Sequence, residues 1–142
     1  MRANELQIGD WVLCDMNAQS DYEFDTVNYQ PFQIKSGEDI DYACERNMSG
    51  DADVYQPILL TKEILEKNGW VKYPNFYRLQ VSKDYDEWCI EAQVYEGGIF
   101  SIDADHKVDE NLEGDIYNMR VEFVHELQHI LNILDLDREI VL

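Results

Sequence analysis

The chain has 142 residues, enough for one domain to bury a core without disulfides or a structural metal. Thirty acidic against eleven basic residues give a net charge of −19, a surface that repels phosphate backbones and so argues against direct DNA or RNA binding. Apolar residues make up 45 %, with nine Tyr and three Trp; this composition excludes a disordered chain, and no apolar run approaches the ~20 residues that span a bilayer.

At the start, Met1-Arg2-Ala3-Asn4-Glu5 lacks the apolar stretch of a signal peptide. Leu6 to Cys14 reads as a turn at Gly9 followed by a strand, and residues 15–25 read as a polar loop. Thr26 to Ile34 and Ile40 to Cys44 are strand candidates separated by the turn signal Ser36-Gly37, and residues 45–53 read as another loop. Short strands with tight turns predict a small, strongly bent sheet or partial barrel in this first third.

The local signal between Leu60 and Trp70 is the clearest in the chain. Thr61 can cap a helix with its hydroxyl, and Glu63 sits near the positive end of the dipole. Leu60 and Leu65 can form a hydrophobic staple, and Gly69 supplies the left-handed residue of a Schellman closure with Trp70 folding back. The prediction is a short helix over Lys62–Asn68. Strands follow at Val71–Tyr73 and Phe76–Val81, joined through Pro74-Asn75. In Glu87–Tyr95 the residues Trp88, Ile90, Ala92 and Val94 alternate with Glu87, Glu91 and Gln93, which predicts one buried and one wet face. Glu96-Gly97-Gly98 then turns the chain into Ile99–Ile102, completing a hairpin.

Asp103 to Asp115 holds six acids and one Lys and reads as a solvated loop. It opens like an EF-hand, but Lys107 takes the third ligand position, Val108 replaces the turn glycine and Gly114 the final Glu, so that motif is excluded. Ile116–Arg120 reads as an edge strand. From Val121 to about Leu134, Val124, Leu127, Leu131 and Leu134 recur at helical spacing and predict an amphipathic helix packed on the sheet. Cys14, Cys44 and Cys89 form no C-x-x-C pair and read as reduced thiols of a cytoplasmic protein.

His125-Glu126-Leu127-Gln128-His129 on this last helix matches H-E-x-x-H. In zinc hydrolases two histidines one turn apart bind Zn²⁺ and the glutamate acts as general base on the metal-bound water. Asp135 falls where a metzincin of the type H-E-x-x-H-x-x-G-x-x-D places its third ligand, with Asn132 in place of the glycine. Against this, ~100° per residue groups Val124, Leu127, Leu131 and Leu134 on one side of the wheel and puts His125 and His129 on the opposite, polar side. Zinc ligands of an enzyme need a cleft wall above them, and this side reads as solvated.

Three blocks carry a resemblance: Leu6-Gln7-Ile8-Gly9-Asp10-Trp11-Val12, Pro57 to Trp70 (PILLTKEILEKNGW), and Val124-His125-Glu126-Leu127-Gln128-His129. In their order and spacing they resemble a group of small uncharacterised proteins from Bacteroides-type gut bacteria and their phages or mobile elements. In that group the last block usually reads V-H-x-L-Q-N. The resemblance therefore implies that Glu126 and His129 are departures, and that the metalloprotease signature arises by accident.

The expectation is a single α+β domain over 1–142, mainly antiparallel and strongly bent sheet, with a short central helix near 61–69 and a C-terminal helix near 121–134. Its expected role is that of a non-catalytic phage- or mobile-element-associated accessory protein that meets an unknown protein partner, without direct nucleic-acid or membrane binding and without a cofactor. Two rivals stand beside it. One is a small zinc-dependent hydrolase with Glu126 as base and His125, His129 and Asp135 as ligands. The other is an acidic mimic that occupies a DNA- or RNA-binding protein.

Overall fold

The computed structural model describes residues 5–17, 27–48, 54–83, 86–95, 97–107, 116–136 and 138–142. The fold is α+β, with two antiparallel sheets and three helices among these residues. Internal contacts divide the chain into two compact units, Met1–Ile58 and Leu59–Leu142.

The first unit is built on the strands β1 (Trp11–Asp15), β2 (Tyr29–Gln33) and β3 (Tyr55–Pro57), in the order β2-β1-β3. The expected turn at Gly9 precedes β1. Gly9 donates its amide to the Ile34 carbonyl at 2.7 Å, and the buried Asp10 accepts the Gln7 amide at 2.7 Å. The sheet is open, and Val12, Cys14, Ile34, Val54 and Tyr55 form its core. Burial pushes the Tyr55 hydroxyl well above its ordinary range.

The predicted strand Ile40–Cys44 is instead part of a helix, α1 (Gly37–Met48), which also takes in residues 45–48 of the expected loop. The reason is a cap. Asp39 accepts from the amides of Lys35 and Ser36 at 2.8 and 3.0 Å and from the Ser36 hydroxyl at 3.3 Å. Ser36-x-x-Asp39 is a capping-box spacing, with Glu38 and Asp39 favourably placed in the first turn. Ile40, Ala43 and Cys44 then fall at helical spacing, with Ala43 buried and Ile40 packed on the core. Residues 18–25 and 49–53 of the two expected loops lie outside the described residues.

In the second unit α2 (Lys62–Lys67) forms as its ends dictate. The Thr61 hydroxyl accepts from the Ile64 amide at 3.3 Å, and Leu60 and Leu65 are both buried. At the other end Trp70 donates to the Leu65 carbonyl and Gly69 to the Glu66 carbonyl, each at 3.1 Å, with Gly69 at φ 83°. That is the Schellman pair of bonds.

The five-stranded sheet runs β4 (Val71–Lys72), β5 (Phe76–Lys83), β6 (Asp86–Val94), β7 (Phe100–Lys107) and β8 (Ile116–Val121), each pairing with the next. Gly97 and Gly98, both at positive φ, turn β6 into β7 as expected. One face is apolar, with Tyr77, Leu79, Ile90, Ala92, Ile102 and Ala104 all buried. Trp88 lies on this face near its rim, half-buried, and stacks on its cross-strand partner His106 with ring centroids 4.2 Å apart. β7 reaches five residues into the expected acidic loop, because Ile102, Ala104 and His106 continue the inward alternation while Asp103 and Asp105 point to the wet side. Residues 108–115 of that loop lie outside the described residues. β8 is an edge strand, as expected.

The C-terminal helix α3 (Val124–Ile133) buries Val124, Leu127 and Leu131, and Leu131 lines a cavity together with Leu79 of β5. The Leu60 amide bonds to the Glu122 carbonyl at 2.9 Å and Leu59 bridges to Phe123, so the approaches to α2 and α3 are tied together. Among the described residues no helix is long and apolar enough to cross a membrane.

Candidate functional site

The H-E-x-x-H residues occupy the first turns of α3. Glu126 is the third residue of the helix, and one of its carboxylate oxygens accepts the amides of Glu122 at 2.8 Å and Phe123 at 3.0 Å. Phe123 has no side-chain oxygen with which to cap the helix, so the glutamate supplies the carboxylate half of a capping box. An oxygen that accepts two amides at the helix start is held by the fold itself, whereas a general base directs its oxygen at a metal-bound water.

The position of His125 differs from the wheel expectation. It is only 6 % exposed, and Gln128 beside it 7 %. The His125 ring stacks on Phe123 with centroids 5.8 Å apart, and His129 meets it edge-on at 5.7 Å. The buried arc of the helix thus extends from Ile130 through Leu127, Leu131 and Val124 to Gln128 and His125, with the Phe123 ring against His125 at the first turn. His129 remains half-buried and Asp135 is exposed, at φ 55° beyond the helix end.

The two histidines are therefore brought together, while their third partner is not. Among the described residues no group of three or more His, Cys, Asp or Glu side chains is placed to hold a metal ion. Asp135 does not join His125 and His129, and the third histidine of the chain, His106, is stacked on Trp88 in the sheet.

The wet face of the five-stranded sheet is the second candidate region. Cross-strand register aligns Arg78, Glu91, Asp103 and Asn118 in one row over four strands. Arg78 donates through Nε at 3.1 Å and Nη2 at 2.6 Å to Glu91, and this bond holds the guanidinium pKa above its ordinary value. Asn118 donates to Asp103 and, at 3.3 Å, to Ser101. Glu91 and Asp103 face each other directly, an arrangement that like charges disfavour unless each has its own donor; Arg78 and Asn118 supply them.

At one end of this row the Arg78 guanidinium lies 5.0 Å from the Tyr73 ring centre and 5.2 Å from that of Phe76, and the two rings stack at 4.8 Å. The Tyr73 amide bonds to the Phe76 carbonyl at 2.8 Å, so the Pro74-Asn75 turn brings the rings together. Tyr73 is 38 % exposed, and Val71 beside it 58 %. Sequence reasoning passed over this cluster. Its signal was present: a two-residue turn pairs 73 with 76, and period-two alternation puts 78 on the same face as 76. Electrostatics reinforce the packing, since a cation over aromatic rings is attracted to their negative faces.

No family model, curated protein or solved structure matches the chain.

Proposed function

We propose that this chain is a non-catalytic accessory protein of a phage or mobile element, acting through contacts with a protein partner. The observation that carries the reading is the cluster of the exposed Tyr73 with the half-buried Phe76 and Arg78, the last fixed by Glu91. Aromatic residues and Arg dominate the energetics of protein interfaces, and here a neighbouring carboxylate and two stacked rings already order them, which lowers the entropy cost of docking. The capping role of Glu126 supports the same reading against the hydrolase. The phage or mobile-element setting rests on the resemblance of the three sequence blocks.

A second reading follows from the charge of the same face. Glu87, Glu91, Asp103 and Asp105 all lie on the wet side of the sheet, in a chain of net charge −19. Carboxylates so arrayed can stand in for phosphates toward a basic protein, and such a complex loosens steeply with salt, since exposed charges are screened within ~8 Å at physiological ionic strength.

The test uses tagless protein in three forms: wild type, Tyr73→Ser with Arg78→Ser, and Glu126→Gln. A partner from a Bacteroides-type host that binds wild type and Glu126→Gln in purified form, and fails to bind the sheet-face variant, supports the first reading. If that partner is a DNA- or RNA-binding protein released by moderate salt, the mimic is favoured. Near one zinc per chain, with hydrolysis lost in Glu126→Gln, overturns both.

A further inference from the structure

We propose that the wet face of the five-stranded sheet docks a proline-rich segment carrying a basic residue. The proposal rests on the reading of this chain as an interaction protein and names the class of its partner. The exposed apolar side chains Val71, Tyr73 and Tyr95 gather at one corner of that face. Val71 stands opposite Arg78 in the register, and Tyr95 lies two residues beyond Gln93, the cross-strand partner of Phe76. Tyr95 is 58 % exposed. Its amide bonds to the Ile99 carbonyl at 2.9 Å, which continues the β6–β7 ladder and keeps Tyr95 in the alternation with Glu91 and Gln93. Phe76 lies among them, stacked on Tyr73. Apolar side chains exposed together mark a surface that a partner covers.

The charge beside this corner indicates what covers it. Along β7 the face runs from Ser101, in the row of Phe76 and Gln93, to Asp103 and Asp105. With Glu91 these set three carboxylates against the single guanidinium of Arg78. Arg78 takes one oxygen of Glu91 and Asn118 one oxygen of Asp103, and a carboxylate with two oxygens keeps acceptor capacity for a further cation. A basic partner is therefore complementary. Its backbone finds no bonds here, because a sheet face, unlike a sheet edge, offers only side chains. A polyproline II segment needs none: it is extended before binding, and its proline rings pack on aromatic side chains at little entropic cost. The spacing agrees. At ~3.4 Å per strand residue, Asp103 and Asp105 stand about 7 and 14 Å from the Phe76 row. Polyproline II repeats every three residues at ~3.1 Å each, which puts a basic side chain about 9 Å from a ring-bound proline on the same side, between the two aspartates.

The probes are three decapeptides titrated into the isotope-labelled full chain and followed by amide chemical shifts. One is a decaproline with Lys at its seventh and tenth positions, the second has Gln for both Lys, and the third keeps the two Lys in a Gly-Ser backbone. The expected result is saturable binding of the first, mapped to Tyr73, Phe76 and Tyr95, with affinity roughly tenfold or more above either control. Tyr73→Ser with Tyr95→Ser changes two exposed side chains and should weaken both proline peptides roughly tenfold. Asp103→Asn with Asp105→Asn should bring the Lys peptide down to the level of the Gln peptide and leave the latter unchanged. No saturation, shifts mapped elsewhere, or equal binding of the Gly-Ser peptide overturns this inference alone, provided a host partner still fails to bind Tyr73→Ser with Arg78→Ser. A host partner that binds that variant as well as wild type overturns the interaction reading itself.

Discussion

Glu126 holds the backbone amide of Phe123 at 3.0 Å, so the residue that would serve as the base of H-E-x-x-H closes the start of its own helix. The spacing that makes the glutamate look catalytic is also the spacing from the N-cap to the third helical residue. Glu126→Ala should therefore cost stability, roughly 0.5–2 kcal/mol as for loss of a cap. Glu126→Gln, which keeps an acceptor oxygen, should cost less. Urea denaturation of the three proteins checks this, and equal midpoints would show that the cap contributes nothing.

His125 and His129 should differ in the same assay. His125 is buried against Phe123, whereas His129 is half-buried. His125→Ala removes a packed ring and is expected to cost roughly 1–3 kcal/mol, against about 0.5 kcal/mol or less for His129→Ala. This replaces the expectation that both histidines lie on a solvated side of the helix.

In the sheet, the penalties should follow depth rather than size. Ile90 is fully buried and its truncation to Ala should cost roughly 2–5 kcal/mol. Trp88 is larger, yet only half-buried at the rim, where its stacking on His106 adds roughly 0.5–1.5 kcal/mol to a partial burial term. Trp88→Ala is expected to unfold at a higher urea concentration than Ile90→Ala. The reverse order would mean that the core is centred on Trp88.

Gly69 sits at φ 83° with open space where a Cβ would stand. The cost of Gly69→Ala is then conformational alone, roughly 1–2 kcal/mol. Gly69→Asn should recover part of it, since Asn tolerates the left-handed region. Thermal unfolding of both variants separates strain from a steric clash, which would penalise Asn more than Ala.

Acid should weaken the start of α2. Hydrogen bonds from its own backbone amide and then from Thr61 hold the Glu63 carboxyl below its ordinary value of 4.5. A depressed folded-state pKa contributes stability that is complete above the unfolded value and is lost as pH falls through the folded one. Between about pH 5 and pH 2 the melting temperature of wild type should fall more steeply than that of Glu63→Gln. Parallel curves would show that Glu63 titrates alike in both states.

Much of the fold was legible because its determinants are local. α2 is specified within Leu60–Trp70 by a cap, a staple and a glycine, and each makes the bond its chemistry predicts. The β6–β7 hairpin follows from alternation and two glycines. Ile40–Cys44 was misread for a physical reason. A short apolar run fits either period, and the Ser36–Asp39 cap that decides for helix lies just before it.

The sequence by itself determined the α+β class, the surplus of acid, the ends of α2 and the two faces of the hairpin, all set by neighbours a few residues apart. Only the tertiary structure decided which side of α3 is covered, because burial depends on what packs over the first turn, and there Phe123 shelters His125. It alone set Asp103 in one row with Arg78 and Glu91, since no local period links β5 to β7. Spacing along a chain records bonds between near neighbours; a site assembled from distant segments exists only once the chain has closed on itself.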